Sequence, residues 1–246
     1  MTVKQILKTT EHRPWELSQG NWKFYQEWNN AVFLHWRVEP EELKKFVPDE
    51  LEIDLHNGEA WVSLVAFTME KIRYRYLPSF PPISDFDEIN IRTYVRYRDK
   101  PGVYFLSIEG GTKISCEVAK RLSELPYRYS TMNRDKGIYT SLNQNYNDHL
   151  NIKYTIGSPV RDRTPLDHWL IERYALFQDT ERTINTFDIH HVAWPVYDIQ
   201  LHHAEVNYPR FNGLIRSNKP DKIHYSTGVQ VIAWDKETYL QGSKEH

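Results

Sequence analysis

Five polar side chains recur at every second position along one stretch: Glu88, Asn90, Arg92, Tyr94 and Arg96. Between them stand Ile89, Ile91, Thr93, Val95 and Tyr97. A period of two is a β-strand, here with one apolar face and one face carrying an acid, an amide, cations and a phenol. Turned to water, that face is an ordinary sheet surface with paired charges. Turned into a closed sheet, it is the wall of a small-molecule site. Arg92 would anchor a carboxylate or similar anion and Glu88 would move a proton, with Asn90 and Tyr94 as ligand-binding neighbours. Glu88 and Arg92 are about 13 Å apart at ~3.3 Å per residue, so they meet only if both side chains bend toward Asn90. A structural lattice of internal ion pairs is the alternative, and the residues alone leave both open.

Other chemistries find less support. His190-His191 and His202-His203 could meet across paired strands, joined by His168 and His224. No HExxH or Cys/His spacing is present, and neighbours on a strand point to opposite faces, so no metal is expected. No serine sits in a Gly-x-Ser-x-Gly elbow. No glycine-rich phosphate loop exists, so no cofactor is expected. Cys116, the only cysteine, lies among Ile114, Val118 and Ala119 and reads as a buried inert thiol. It also leaves no intramolecular disulfide.

The elements that must position these residues are mostly strands. Eight Trp, 16 Tyr and 10 Phe in 246 residues favour strands and amphipathic pocket walls. Basic and acidic residues nearly balance, 31 against 33, with no basic stripe, which argues against a nucleic-acid partner. The first ten residues lack the apolar run of a signal peptide, and no segment has the length of a membrane span. A soluble cytoplasmic protein is expected.

Along the chain, a short helix near Val3, Ile6 and Leu7 precedes a strand over Ala31–Val38 and a helix over Glu39–Phe46, with proline and acids leading. Leu51–Leu55 reads as a strand, with Asn57-Gly58 turning into Ala60–Met69. Leu77–Pro82 is a proline-rich connection and candidate lid. Lys100-Pro101-Gly102 reads as the turn from the polar strand into Val103–Glu109. Ile114, Val118, Ala119 and Leu122 have helical spacing, and strands follow near Tyr127–Met132, Ile138–Leu142 and Ile152–Ile156. Thr164-Pro165-Leu166-Asp167 starts a helix that runs through Leu170 toward Phe177, and alternation resumes from Thr183 to Leu240. With no linker or repeat, residues 1–246 read as a single α+β domain, mainly β, with three or four helices.

Several short segments carry a family resemblance. They are His12-Arg13-Pro14-Trp15-Glu16-Leu17, Phe33-Leu34-His35-Trp36, the strand Glu88–Val95, Leu125-Pro126-Tyr127, Glu172-Arg173-Tyr174 and His191-Val192-Ala193-Trp194-Pro195. In that order, over nearly the full chain, they resemble the YqjF-like bacterial proteins, which share the acetoacetate decarboxylase-like fold. Trp36–Pro48 followed by Leu51-Glu52-Ile53-Asp54 resembles acetoacetate decarboxylase itself more distantly. The resemblance implies coiled antiparallel sheets closing, barrel-like, around a pocket, and homo-oligomers as that enzyme forms.

It also implies where this chain departs from the enzyme. The decarboxylase uses a lysine that forms a Schiff base, its pKa lowered by a second lysine. Here Tyr127-Arg128 follow Pro126 at those positions, so a lyase-like relative without imine chemistry is implied. Tyr127 could donate a hydrogen bond to a carbonyl or enolate, or be a core aromatic with its hydroxyl satisfied. The enzyme's central acid falls on Glu88. Its second acid falls near Val62-Ser63 and its arginine near Asn29-Asn30, where neither residue type is kept. Lys120, beside Arg121, reads as solvated helix charge rather than a replacement nucleophile. The expected function is small-molecule binding, with catalysis on a small carboxylate or carbonyl compound by Glu88 and Tyr127. A ligand-binding or sensory protein without chemistry is the alternative.

Overall fold

The computed structural model of the chain describes residues 1–240, with the side chain of Leu122 outside that description. Fourteen strands dominate. The first seven are β1 (Phe24–Val38), β2 (Glu52–Ile53), β3 (Ala60–Tyr74), β4 (Phe86–Tyr97), β5 (Lys100–Gly110), β6 (Tyr127–Tyr129) and β7 (Thr131–Asp135). Then come β8 (Ile138–Asn143), β9 (Asp148–Pro159), β10 (Ala175–Asp179), β11 (Thr183–His190), β12 (Val196–Asn207), β13 (Lys222–Ala233) and β14 (Glu237–Leu240). Five short helices interrupt them: α1 (Val3–Ile6), α2 (Pro40–Lys44), α3 (Pro81–Ser84), α4 (Lys113–Ser123) and α5 (Pro165–Ile171). None is long and apolar enough to cross a membrane.

Seven strands close a ring in the order β11-β10-β5-β4-β3-β1-β13, sealed where Ile189 and His190 of β11 pair with Ala233 and Ile232 of β13. Every pairing in it is antiparallel except β10 against β5. From β13 the sheet continues through β12, β9, β8 and β7 and folds back over the outside of the ring. That return buries Leu34, Leu64, Ile89 and Ile91 on the outer face of β1, β3 and β4 against Tyr139, Leu150 and Ile152. The inner face holds a second core, with Phe33, Val65, Phe67, Phe86, Val103 and Val231. Both faces of the central strands are therefore covered, and Ala60–Phe67 and Glu88–Val95 are buried without a break. The apolar run in β3 follows from that burial, because a strand covered on both sides has no reason to alternate.

Local chemistry differs from expectation at three places. Asn57 and Gly58 have positive φ and close a two-residue turn, but the turn joins only His56 to Glu59. The strand before it leaves to pair with β4 rather than β3. The β4–β5 hairpin turns at Arg98-Asp99, both left-handed, and not at Lys100-Pro101-Gly102, which already belongs to β5. The helix begun at Thr164 has the expected capping box but stops at Ile171. Residues 175–179 instead form β10, whose Ala175 and Phe177 enter the outer core. The helices number five because Pro81–Ser84, inside the proline-rich connection, makes one turn.

Gly102 sits where the parallel β5–β10 seam is tightest. A Cβ there would lie 2.5 Å from the Ala175 carbonyl oxygen and from the Phe177 ring. Gly102→Ala is expected to cost about 1–3 kcal/mol by overpacking, read as a lower urea midpoint at unchanged slope. Gly213→Ala has only the Glu42 carboxylate within 4 Å, at 3.6 Å, and serves as the control. It should stay within about 0.5 kcal/mol of wild type.

Candidate functional site

The ring is plugged at one end and hollow at the other. At the plugged end α5 and the chain after it bring Leu170, Ile171 and Trp194 into the inner core. Toward the other end, a cavity of about 370 Å³ lies between β1, β3 and β4 and the helices α3 and α4. Its walls are largely apolar and rich in aromatics, among them Trp28, Phe33, Phe67, Phe86, Phe105 and Trp194. Glu88, Asn90 and Arg92 from β4 and Tyr127 from β6 break that apolar lining. The alternation read from the sequence puts the three β4 residues on one face, and ring closure turns that face inward.

Glu88 is 3 % exposed and engaged at both oxygens. The Tyr127 hydroxyl donates to one at 2.7 Å, and Asn90 Nδ2 donates to the other at 3.2 Å. Burial pushes the carboxyl up to about 7, against the opposing pull of these two hydrogen bonds and of the Arg92 charge. Desolvation wins because a buried charge costs several kcal/mol, while each hydrogen bond to a charged group returns about 1.5–3. The same carboxylate and burial raise the Tyr127 phenol, which stays a donor. Arg92 lies 5.7 Å over the Phe33 ring and makes no ion pair with Glu88. Its Nε and the Asn90 Oδ1 are buried without hydrogen-bond partners. Such groups in a native fold mark water or ligand positions.

Tyr94 departs from expectation. It continues the polar row past Arg92 but does not line the cavity. Its hydroxyl is taken up by a buried chain of hydrogen bonds spanning four neighbouring strands. Asp167 Oδ1 meets His224 Nε2 at 2.8 Å, and His224 Nδ1 meets His35 Nε2 at 3.0 Å. His35 Nδ1 meets Ser63 Oγ at 2.6 Å, and Ser63 Oγ meets the Tyr94 hydroxyl at 2.6 Å. The Tyr94 hydroxyl also reaches the Leu170 carbonyl at 2.8 Å. Burial lowers both imidazoles, so neutral rings are the state to reason from. Neutral rings assign His224 Nε2–H to Asp167, His35 Nε2–H to His224 and the Ser63 hydrogen to His35. The Tyr94 hydrogen is then shared between Ser63 and Leu170. Ser63 is the cross-strand partner of Arg92, so this chain stiffens the wall behind the cation. No single motif announces it: its members lie on separate strands and in the Thr164–Asp167 cap.

The remaining candidates scatter. His190 and His191 turn to the Ile6 and Val192 carbonyls, and His202 and His203 are exposed on β12. Among the described residues no three His, Cys, Asp or Glu side chains stand together at ligand distance. Cys116 is buried, and burial pushes its thiol up to about 11. Lys120 is exposed on α4. Glu172 and Arg173 do not pair with each other. Glu172 receives Arg163, Tyr174 and the Trp194 amide, while Arg173 meets Asp54 at 2.8 Å. A second raised carboxyl, Glu109, also near 7, accepts from Ser130 and does not line the cavity.

The raised Glu88 has a signed consequence for stability. The folded state holds its proton to about pH 7, whereas the ordinary value is 4.5. Below 4.5 both states are protonated and the group is neutral in effect. As pH rises from 4.5 to about 7 the unfolded state loses its proton and the folded state does not. Folding is therefore penalised progressively, by an amount of order 3 kcal/mol that is complete above about 7. Glu88→Gln should therefore match wild type in urea midpoint near pH 4.5 and exceed it near pH 8. A difference independent of pH would mean that the carboxyl is not held protonated. Glu109 contributes equally to both proteins and drops out of the comparison.

A family model described as an uncharacterized conserved protein, DUF2071, matches residues 25–230. The uncharacterized protein YqjF of Bacillus subtilis (strain 168) is 32 % identical over 222 residues, covering 87 % of this chain and 92 % of that protein. Among solved structures, one of acetoacetate decarboxylase superposes with a TM-score of 0.58 at 16 % identity, covering 99 % of this chain and all of the other. The enduracididine biosynthesis enzyme MppR, with HEPES buffer bound, gives 0.59 at 13 % identity, covering 92 % and 90 %. At that identity the likeness is one of fold: a mainly antiparallel, ring-closed sheet of the acetoacetate decarboxylase type. The match along most of its length makes this chain a member of the DUF2071 family.

Proposed function

We propose that the protein binds a small carboxylate or carbonyl compound in the ring cavity and moves a proton on it with Glu88, without forming a Schiff base. The observation that carries this reading is a carboxyl near pKa 7, hydrogen-bonded to a phenol, on the wall of a mainly apolar cavity. An acid poised near the working pH is what general acid–base catalysis requires. As carboxylate, Glu88 takes a proton from a carbon next to a carbonyl. Glu88, now protonated, donates to the Tyr127 oxygen and frees the Tyr127 hydrogen to turn to the enolate oxygen that forms. Arg92 holds an anionic group of the substrate, and Glu88 returns the proton. Among the described residues, one lysine lines the cavity, Lys236, and it is paired with Glu124 at 2.6 Å rather than free for imine chemistry. Arg128 turns instead to Ser107 and stacks on Tyr146. MppR, a relative in fold only, is known with pyruvate bound, which supports a keto acid as one type of occupant.

The second reading is a binding protein without chemistry. It is favoured by one observation: both Glu88 oxygens already accept hydrogen bonds from the wall. Turnover separates the two. On a substrate found by thermal-shift screening of carboxylates and carbonyl compounds, Glu88→Gln should keep ligand affinity within about threefold. It should lower turnover by 10²–10⁴, the usual contribution of a positioned acid–base group. Borohydride with a keto acid should give no covalent adduct by mass spectrometry. A ligand bound at 100 times its dissociation constant raises stability by about 2.7 kcal/mol. A tight ligand that is never converted would leave the binding reading standing alone.

A further inference from the structure

We infer that the cavity's preferred occupant is an amphipathic monocarboxylate, a carboxylate head on an apolar body of roughly eight to twelve carbons. This rests on the reading of Arg92 as anion anchor and extends it to the rest of the ligand. Arg92 is 7 % exposed, its Nε has no partner, and among the described residues no carboxylate lies within 4 Å of its guanidinium. Tyr94 and Glu88 are its electrostatic neighbours, neither in an ion pair with it, and a ligand carboxylate is the partner whose planar geometry matches a buried guanidinium. Asn90 beside it, 4 % exposed, offers an unpartnered Oδ1 to a protonated or hydroxylated neighbour of that head group.

Away from this row the lining is mainly apolar, with Gln26, Arg73, Asp235 and Lys236 as its other long polar or charged members, and the cavity is larger than a head group needs. At ~30 Å³ for a water-sized group, 370 Å³ holds about a dozen such groups. A six-atom keto acid would fill about half and leave aromatic walls uncovered. The mouth points the same way. Leu77 and Phe80 line the cavity and yet are 58 % and 63 % exposed. An apolar tail reaching the mouth would cover them, giving the proline-rich connection its role as the outer end of the binding site.

The test is a ladder of straight-chain carboxylates from two to twelve carbons, titrated calorimetrically into the full chain. Affinity is expected to rise about fourfold per buried methylene, the equivalent of 0.8 kcal/mol, until the cavity is full near ten carbons. The exposed double variant Leu77→Ser/Phe80→Ser, which leaves the core alone, should weaken the ten-carbon acid at least tenfold and the four-carbon acid less than twofold. Arg92→Gln should weaken every acid at least thirtyfold and the matching primary alcohols less than threefold. Its fold is checked by melting.

Short acids that bind through Arg92 on a flat ladder would overturn the amphipathic ligand and leave the anion anchor in place. Tail-dependent binding that Arg92→Gln does not touch, shared equally by the alcohols, would mean partition into an apolar hole and overturn the proposal. If no carboxylate of any length binds the folded wild type, the proposal and the anchor reading fall together.

Discussion

Closure of the ring is the constraint on which everything else depends. A sheet with free edges could present the polar side of β4 to water, where Glu88 and Arg92 would be hydrated and ordinary. The β11–β13 pairing removes that outcome, and the returning layer β12-β9-β8-β7 removes it for the outer face as well. Once both faces are covered, each polar group on β4 must find a protein partner, a ligand or a trapped water, because leaving it bare costs several kcal/mol. The properties of the site are consequences of that exclusion.

The polar row resolves into two regimes along its length. At the α5 end, the groups satisfy one another. Tyr94, Ser63, His35, His224 and Asp167 form a continuous chain, and Arg173 has Asp54 beside it. At the cavity end, satisfaction is incomplete, and Arg92 Nε and Asn90 Oδ1 stand bare. Satisfaction at the α5 end is nearly complete, one Arg173 nitrogen excepted, whereas the bare groups of the β4 row face the cavity. Glu88 lies at the cavity end, where its two donors hold its orientation but do not outweigh the loss of solvent.

Likeness in fold to acetoacetate decarboxylase does not carry over its nucleophile. The ring, the inward strand and the acid on β4 are compatible with that architecture. A phenol and a stacked arginine follow Pro126, and Lys236 is held by Glu124. Phenol and carboxyl can exchange or share protons but cannot form an imine. The same enclosure is thus lined by groups of different character, and a shared fold does not fix the function of its site.

The sequence by itself determined the local pieces: the period-two strand with Glu88, Asn90 and Arg92 on one face, the Thr164 capping box, the amphipathic α4 and the turn at Asn57-Gly58. These are legible because they depend on neighbours a few residues away. Pairing and enclosure are not local, and only the tertiary structure decided them. It placed Arg98-Asp99 rather than Lys100-Pro101-Gly102 at the hairpin, ended α5 so that Phe177 could join the outer core, and sent β2 to β4. It also separated Tyr94 from its neighbours on the same face, because α5 caps the ring just where that hydroxyl points. Periodicity states which way a side chain faces. What lies in that direction depends on where distant strands close, and so does whether an acid there is ionised.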